Sequence, residues 1–280
     1  MTALPPTKHL DLELDDGAGW LTVWFNDPAR RNPLSAARAA DLIRLAAHLQ
    51  DRGDIRGVVF RGRGGVFSAG GDLKAFQQVF QGGADREAVL AASLEGGRMF
   101  RAIAGLPQFT VMLIEGAAMA GGLGLAACGD LVIAEAGARF SLSETRIGLT
   151  PAQIAPYLVA RLGMVAARRL MLTGTVMTAD RARELGLVDE IATGQAGIGA
   201  ALARAREDLR PAAPGAVAAI KAQLARMPLQ DDAARMQTAA ESFAGRMLSD
   251  EGREGIAAFF EKRAASWAVS GDGGDIDAAG

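Results

Sequence analysis

Two glycine-rich turns are the stretches of this sequence best suited to chemistry. Gly70 and Gly71 follow one short apolar run, Gly121 and Gly122 follow another, and the residues after each pair predict a helix. The first N–H groups of a helix have no partner within it, so a ligand atom can reach them. Two such helix starts can direct two N–H donors at one oxygen, as an acyl carbonyl needs when it becomes an enolate. Taken alone, each pair is also consistent with close backbone packing.

The acidic candidate is Glu144, which follows the predicted strand at residues 138–142. A carboxylate between apolar residues at a strand end is expected to have a raised pKa and to act as a general acid or base near neutral pH. The competing interpretation is a helix-capping role for this carboxylate in the sequence Ser-Glu-Thr-Arg.

Composition restricts the class of protein. Of 280 residues, 50% are hydrophobic and 22% are charged, and the net charge is −2, which is typical of a soluble globular protein without a nucleic-acid or membrane partner. Cys128 is the only cysteine, so no disulfide framework is expected. The N-terminus has no basic segment before an apolar core, and no run reaches the ~18 apolar residues of a membrane span. The predicted location is cytoplasmic.

Other catalytic classes lack their motifs. His9 and His48 are the only histidines, and neither has cysteines or carboxylates at metal-ligand spacing, so no metal site is predicted. No histidine can be matched to a serine nucleophile. The glycine stretches lack the patterns of dinucleotide-binding and P-loop turns.

Strand and helix patterns alternate along the first two thirds of the chain. A hairpin is followed by a helix capped by Ser35, and a helix begins near Asp85. Strand, helix and strand in this order predict a parallel sheet with helices outside it. From about residue 195 to 265 the composition predicts three or four helices, and the polar tail at 266–280 is predicted to be disordered. The predicted strands lie at 20–25, 58–60, 111–114, 131–134, 138–142 and 187–191.

Three segments together resemble a known family. They are FSAGGDLKAF (67–76), GAAMAGGLGLAACGDLVIA (116–134) and FSLSETRIGLTP (140–151), and their order and spacing are similar to those of the crotonase superfamily of enoyl-CoA hydratases and isomerases. The resemblance extends from about Leu12 to Ala264. It implies an α/β fold with a crotonase-like ββα spiral at residues 1–194. It also implies that residues 195–265 form a C-terminal α-helical trimerisation region, in a homotrimer or hexamer.

The resemblance assigns roles to particular residues. Gly71 and Gly121 would donate to the thioester oxygen of an acyl-coenzyme A, so coenzyme A is part of the substrate and no permanently bound cofactor is expected. Phe259 and Lys262 resemble the family's C-terminal contact to the coenzyme, and a solvated helix charge is the alternative for Lys262. The coenzyme's path would be lined by the main chain of Asn32, Leu34, Ser68, Ala69 and Gly70.

One position departs from the family pattern. A typical hydratase of this family carries two glutamates, and Gly124 stands at the first position, which leaves Glu144 alone. Gly124, Gln153 and Phe76 are therefore assigned to the substrate pocket. An interior amide bonded to backbone is the alternative for Gln153.

Three functions fit these features. The first is an enoyl-CoA hydratase for a branched or glutaconyl-type thioester, since AGGLGL (120–125) and PAQIAP (151–156) resemble such members of the family. The second is a Δ3-Δ2-enoyl-CoA isomerase, which also needs one proton-shuttling carboxylate. The third is an acyl-CoA-binding protein of the same fold without turnover, which Gly124 supports and Glu144 opposes.

Overall fold

The computed structural model describes residues 3–72, 77, 82–83 and 85–268. A six-stranded sheet has the order β1-β2-β3-β4-β6-β9, and a three-stranded sheet has the order β5-β7-β8. Only the β1–β2 and β7–β8 pairs are antiparallel. The strands are β1 (Leu10–Asp15), β2 (Trp20–Phe25), β3 (Gly57–Gly62), β4 (Phe109–Ile114), β5 (Ala117–Met119), β6 (Leu131–Glu135), β7 (Arg139–Ser141), β8 (Met177–Thr178) and β9 (Glu190–Ala192).

Helices lie between the strands and then dominate the C-terminal third. Five of the described helices start at a capping side chain, because Ser35, Asp85, Thr178, Asp231 and Ser249 each accept a hydrogen bond from a first-turn N–H. The described helices are α1 (Ala36–Leu49), α2 (Arg86–Ala104), α3 (Gly121–Ala126), α4 (Ala155–Thr173), α5 (Ala179–Glu184), α6 (Gly194–Leu209), α7 (Pro214–Arg226), α8 (Asp232–Met247) and α9 (Asp250–Glu261).

The central strands are buried on both faces, which explains their continuous apolar sequences. On one face, α1 packs against α2 over a core that includes Phe25, Phe60 and Met112. On the other face, Ile198 and Ala201 of α6 join a second core. The first C-terminal helix therefore covers the sheet directly.

Most predicted elements are present, with informative differences. The α/β class, the hairpin, the helix beginning after Asp85 and four C-terminal helices are confirmed. The last strand begins at Glu190 rather than 187, because the N–H groups of Leu187 and Val188 both bond to the Ala182 carbonyl in a turn. The helix containing Leu73 and Phe76 lies outside the described residues.

A half-buried cation, Arg56, bonds the C-terminal region to the sheet. The Arg56 guanidinium donates to the carbonyls of Leu209, Ala212 and Trp267 at 2.5–3.0 Å. Ala268 is buried as well, so the chain is still packed where the tail was expected to begin at 266. Residues from 269 onward lie outside the described part, and the boundary at 194/195 stays a prediction. Among the described helices, none is long and apolar enough to cross a membrane.

Candidate active site

Three parallel segments bring the predicted catalytic residues to one row. Ser68 pairs with Ala118, and Ala118 pairs with Phe140 in the β5–β7 ladder. Parallel segments end at the same edge of a sheet. Gly71 and Gly121 each lie three residues beyond this register, and Glu144 lies four beyond it. The register therefore places both glycines and the carboxylate at one edge.

A hydrogen bond to its carbonyl sets the orientation of the peptide between Gly70 and Gly71. The Leu34 N–H donates to the Gly70 oxygen at 2.8 Å. Because a trans peptide is planar and its C=O and N–H point in opposite directions, the Gly71 N–H faces away from Leu34. It faces the second turn: a Cβ built on Gly121 would lie 4.0 Å from the Gly71 nitrogen.

The peptide before Gly121 is oriented in the same way. The Ala120 carbonyl accepts from the Gly124 N–H at 3.1 Å, inside α3, so the Gly121 N–H points out of the helix start. A Cβ built on Gly70 would lie 3.4 Å from the Gly121 nitrogen, so the two turns are adjacent. Within the described residues, no turn, loop or cap hydrogen bond uses the N–H of Gly71 or Gly121. Both donors remain available to a ligand oxygen.

Ala120 holds a strained backbone conformation beside this donor. Its φ is 49° and its ψ is −121°, a region that residues with a Cβ rarely occupy. Its own N–H donates to the Ser141 carbonyl at 2.8 Å, which ties the turn to β7. Such strain, of order 1–3 kcal/mol, concentrates at functional sites.

Apolar side chains surround the donors. A Cβ on Gly121 would meet Leu34 Cδ1 at 3.3 Å and Phe100 Cζ at 3.6 Å. The Phe100 ring in turn lies 6.2 Å from the Tyr157 ring. Hydrogen bonds to a developing oxyanion are stronger in such surroundings than in water.

Glu144 has the environment of an acid–base group. It lies in a short 3₁₀ helix, Ser143–Ile147, in which no side chain forms a capping bond. Its Oε2 is buried and has no hydrogen-bond partner within the described chain. Burial raises the pKa of Glu144, and a hydrogen bond from its own backbone N–H offsets this only in part. The raised pKa predicted from the sequence is therefore found in the structure.

Gly124 needs a different interpretation from the sequence-based one. A Cβ built on it would overlap the Cβ and Cγ2 of Ile154, the residue just before α4. The space left by the missing side chain is therefore filled by Ile154 and is not open to substrate. Glycine is required here because α3 and the start of α4 are in close contact.

Gln153 is held across helix α2. Its Nε2 donates to the Ser93 Oγ at 3.1 Å, and its amide lies against Gly97, where a Cβ would collide with it. The alternative of an amide bonded to backbone is thus not what is found, and a substrate contact stays a prediction. The other pocket candidate, Phe76, lies outside the described residues.

The predicted coenzyme path consists of residues that already bind one another. The Asn32 side chain donates to the carbonyls of Arg63 and Val66 and accepts from the Asp27 N–H. The Ser68 hydroxyl donates to the Asn32 carbonyl and accepts from the Gly70 N–H. These bonds fix the shape of the loop that carries Gly70 and Gly71.

Of the remaining coenzyme candidates, Ala69 belongs to the first glycine loop, and the other two lie on the C-terminal helix α9 and its cap. Ala69 donates its N–H to the Arg31 carbonyl at 2.9 Å. Phe259, on α9, is 79% exposed, and Lys262 is exposed at the C-cap of that helix with a φ of 52°. Their contact with a coenzyme stays a prediction.

Sequence reasoning did not single out Phe100 or Ser93, or the contact of Ile154 with Gly124, as parts of this region. Gly96 and Gly97, two helix-weakening residues within one helix, were a usable signal, since glycine there indicates that a neighbour approaches closely. Ile154 could not be found in this way, because its partner Gly124 is distant in sequence.

Two alternative chemistries have no support here. In the described part of the chain, no group of three or more histidines, cysteines or carboxylates could hold a metal ion. Cys128 is buried, which raises the pKa of its thiol, and its Sγ donates to the Gly124 carbonyl at 3.3 Å. It therefore behaves as a packing residue.

Known proteins match almost the whole chain. Residues 15–270 match the family described as enoyl-CoA hydratase/isomerase. A Thermus thermophilus relative, whose name as an enoyl-CoA hydratase is provisional, is 38% identical over 243 residues, or 86% of this chain and 94% of its own. The mouse protein named enoyl-CoA hydratase domain-containing protein 2, mitochondrial, is 35% identical over 252 residues, or 88% and 83%. The solved structure of Pseudomonas aeruginosa AtuE has a TM-score of 0.89 at 38% identity, covering 93% of this chain and 100% of its own.

A substitution at Gly124 tests the contact with Ile154. Gly124→Ala and Gly124→Glu are expected to lower the free energy of unfolding, by about 1–3 kcal/mol for alanine, because the new Cβ overlaps a buried side chain. In a double-mutant cycle measured by urea unfolding, Gly124→Ala and Ile154→Ala should cost less together than the sum of the single changes. Additive costs would show that the two residues do not compete for one space.

The buried Glu144 carboxylate predicts a stability change of a stated sign. Because its pKa is raised in the folded state, the contribution of Glu144 to wild-type stability falls as pH rises from the usual carboxyl range, near 4.3, toward neutrality. Glu144→Gln removes this loss, so it should stabilise the protein at pH 7 and have a smaller effect at low pH. Urea unfolding across this pH range measures the difference. A gain that does not depend on pH, or a loss at pH 7, would contradict the burial argument.

Proposed function

We propose that this chain, which belongs to the enoyl-CoA hydratase/isomerase family, adds water across the α,β double bond of an enoyl-CoA thioester with Glu144 as its only acid–base group. The fold is the crotonase fold, as the sequence predicts, and the relatives' names support an enzyme of the lyase class.

One observation carries the proposal. Within the described residues, two N–H groups without internal partners and one buried carboxylate oxygen without a partner lie in the same row of parallel segments. Donors for an oxyanion beside an acid–base group are the parts needed to form and protonate a thioester enolate.

The reaction follows from this arrangement. The thioester oxygen accepts from the N–H groups of Gly71 and Gly121, which draws electrons from the double bond and makes the β-carbon electrophilic. Glu144 removes a proton from a water molecule as the water oxygen bonds to the β-carbon, and the thioester becomes an enolate. The protonated Glu144 then returns the proton to the α-carbon, which restores the carbonyl. One water has been added, and the carboxylate is regenerated.

The raised pKa of Glu144 suits both halves of this cycle. A carboxylate with an ordinary pKa is a weak base and loses its proton too readily to deliver it to carbon. Burial brings the proton affinity closer to that of the reacting groups, where general acid–base catalysis is most efficient.

A branched or glutaconyl-type acyl group is the substrate class we favour. Its support is the resemblance of AGGLGL (120–125) and PAQIAP (151–156) to such members, together with the single carboxylate. Arg146, two residues after Glu144 in the same 3₁₀ helix, is exposed and supplies a cation for a distal carboxylate. Coenzyme A enters as part of the thioester, and no permanently bound cofactor is proposed.

A second candidate reaction uses the same residues. One carboxylate between the two ends of an allyl system can move a proton from one end to the other, which is Δ3-Δ2-enoyl-CoA isomerisation. Crotonyl, 3-enoyl and glutaconyl thioesters tested side by side distinguish hydration from isomerisation. Binding of all three without turnover would favour the non-catalytic acyl-CoA-binding alternative.

Removal of the carboxylate tests its role. Glu144→Gln preserves shape and both N–H donors, so turnover should fall by ~10²–10⁴ while thioester affinity changes little. The wild-type pH profile should show one essential ionisation. Glu207→Gln, at an exposed site on α6, is the matched control and should leave turnover unchanged. An active Glu144→Gln variant would assign the proton transfer to another group.

The exposed apolar side chains of the C-terminal helices predict a homotrimer or hexamer. Clusters of exposed apolar side chains such as these usually mark an interface between protein chains. Light scattering at micromolar concentration should give three or six times the chain mass of 29.1 kDa. A monomeric mass would contradict the proposal. The side chains, between 52 and 79% exposed, are Ile220, Leu224, Met236, Phe243, Met247, Leu248, Phe259 and Phe260.

A further inference from the structure

We infer that Arg38, a buried arginine on α1, is a positioning residue that sets the direction of the Gly71 N–H through two peptide groups and one hydrogen bond. This inference rests on the proposed role of Gly71 as an oxyanion donor. Arg38 itself contacts neither glycine in the described structure, and it lies outside the region that the sequence analysis assigned to the site.

Arg38 is an unusual residue for a protein interior. It is 2% exposed, and charged side chains are almost never buried to this extent without a partner. No carboxylate within the described chain forms an ion pair with it. Its guanidinium instead donates to two carbonyls, from Nε to His9 at 3.2 Å and from Nη1 to Pro33, and it lies 5.5 Å from the centre of the Phe25 ring.

The charge of Arg38 persists in this position. Burial lowers the pKa of Arg38, the charges of Asp27 and Asp41 raise it, and Arg30 lowers it. An arginine remains protonated after such changes, because its ordinary pKa is above 12. The guanidinium therefore stays a donor, and hydrogen bonds from a charged donor are stronger than those from a neutral one.

The bond to Pro33 controls the next peptide group. Proline has no N–H, so the peptide before it offers no donor by which this segment could be held. The peptide after it joins the Pro33 carbonyl to the Leu34 N–H in one plane. When Arg38 fixes the Pro33 oxygen, it also fixes the direction of the Leu34 N–H.

The Leu34 N–H then controls the oxyanion donor. It donates to the Gly70 carbonyl at 2.8 Å, and that carbonyl shares a planar peptide with the Gly71 N–H. Gly70 has a φ of 91°, a backbone conformation that residues with a Cβ rarely adopt. Without Arg38, the Pro33–Leu34 peptide can rotate, and the Gly71 N–H loses its fixed direction.

A change in donor direction has a specific kinetic consequence. An oxyanion donor acts mainly in the transition state, so a misdirected donor lowers kcat more than it raises KM. Removing one donor typically costs ~10²–10³ in rate, and misplacing one costs less than removing it. We therefore expect kcat to fall by about tenfold to hundredfold, less than the loss for removing a donor.

Arg38→Met and Arg38→Lys test the inference by two readouts. Methionine matches the apolar part of the side chain without a donor, and lysine restores a charged donor but not both bonds. Arg38→Met should lower kcat for crotonyl-CoA by about tenfold or more with KM within about twofold, and Arg38→Lys should lose less. Bound cinnamoyl-CoA should absorb at longer wavelength in the wild type, because the donors polarise its carbonyl, and this red shift should be reduced in Arg38→Met.

Arg56→Met is the matched control. It also removes a guanidinium, here a half-buried one, from backbone carbonyls, but those carbonyls belong to the C-terminal region. It should lower stability and leave the red shift intact. A wild-type red shift that persists unchanged in folded Arg38→Met and Arg38→Lys would overturn the inference alone. A wild type that binds cinnamoyl-CoA without any red shift would overturn the proposed function as well.

Discussion

The site depends on two peptide groups whose carbonyls are held by hydrogen bonds from neighbouring backbone. When the carbonyl of one peptide is held by a neighbouring segment, the N–H of the same peptide must point the other way. The Leu34 N–H holds the Gly70 carbonyl, and the Gly124 N–H holds the Ala120 carbonyl. The N–H groups of Gly71 and Gly121 therefore each face the turn that carries the other. No side chain is needed at the donors themselves, and glycine at both positions keeps them accessible.

The site residues lower stability, and the surrounding core offsets them. Ala120 occupies a strained conformation, and Glu144 has a buried carboxylate oxygen with no partner in the part of the chain that the structure describes. The segments that carry them are anchored by β5 and β7 and by strands β3, β4 and β6, which are almost wholly buried. Rigid, well-packed elements allow a few unfavourable groups to persist at the edge where the reaction takes place.

The sequence predicts the elements and the catalytic residues better than it predicts their neighbours. Short apolar runs and capping residues such as Ser35 and Asp85 locate strands and helices, because these signals are local. The strands β5 and β8 are three and two residues long, which is too short for any periodicity. The filling of the Gly124 space by Ile154 and the bond from Arg38 to His9 depend on packing between elements, which one sequence does not display. The cytoplasmic location stays a prediction.

A crystal structure of the protein with acetoacetyl-CoA, an enolisable thioester, tests the central claim most directly. The account predicts that the thioester oxygen lies about 2.7–3.1 Å from the nitrogens of both Gly71 and Gly121. It also predicts that the Glu144 carboxylate faces the carbons adjacent to that carbonyl. A thioester oxygen that contacts neither nitrogen, or a Glu144 carboxylate directed away from the acyl group, would contradict it.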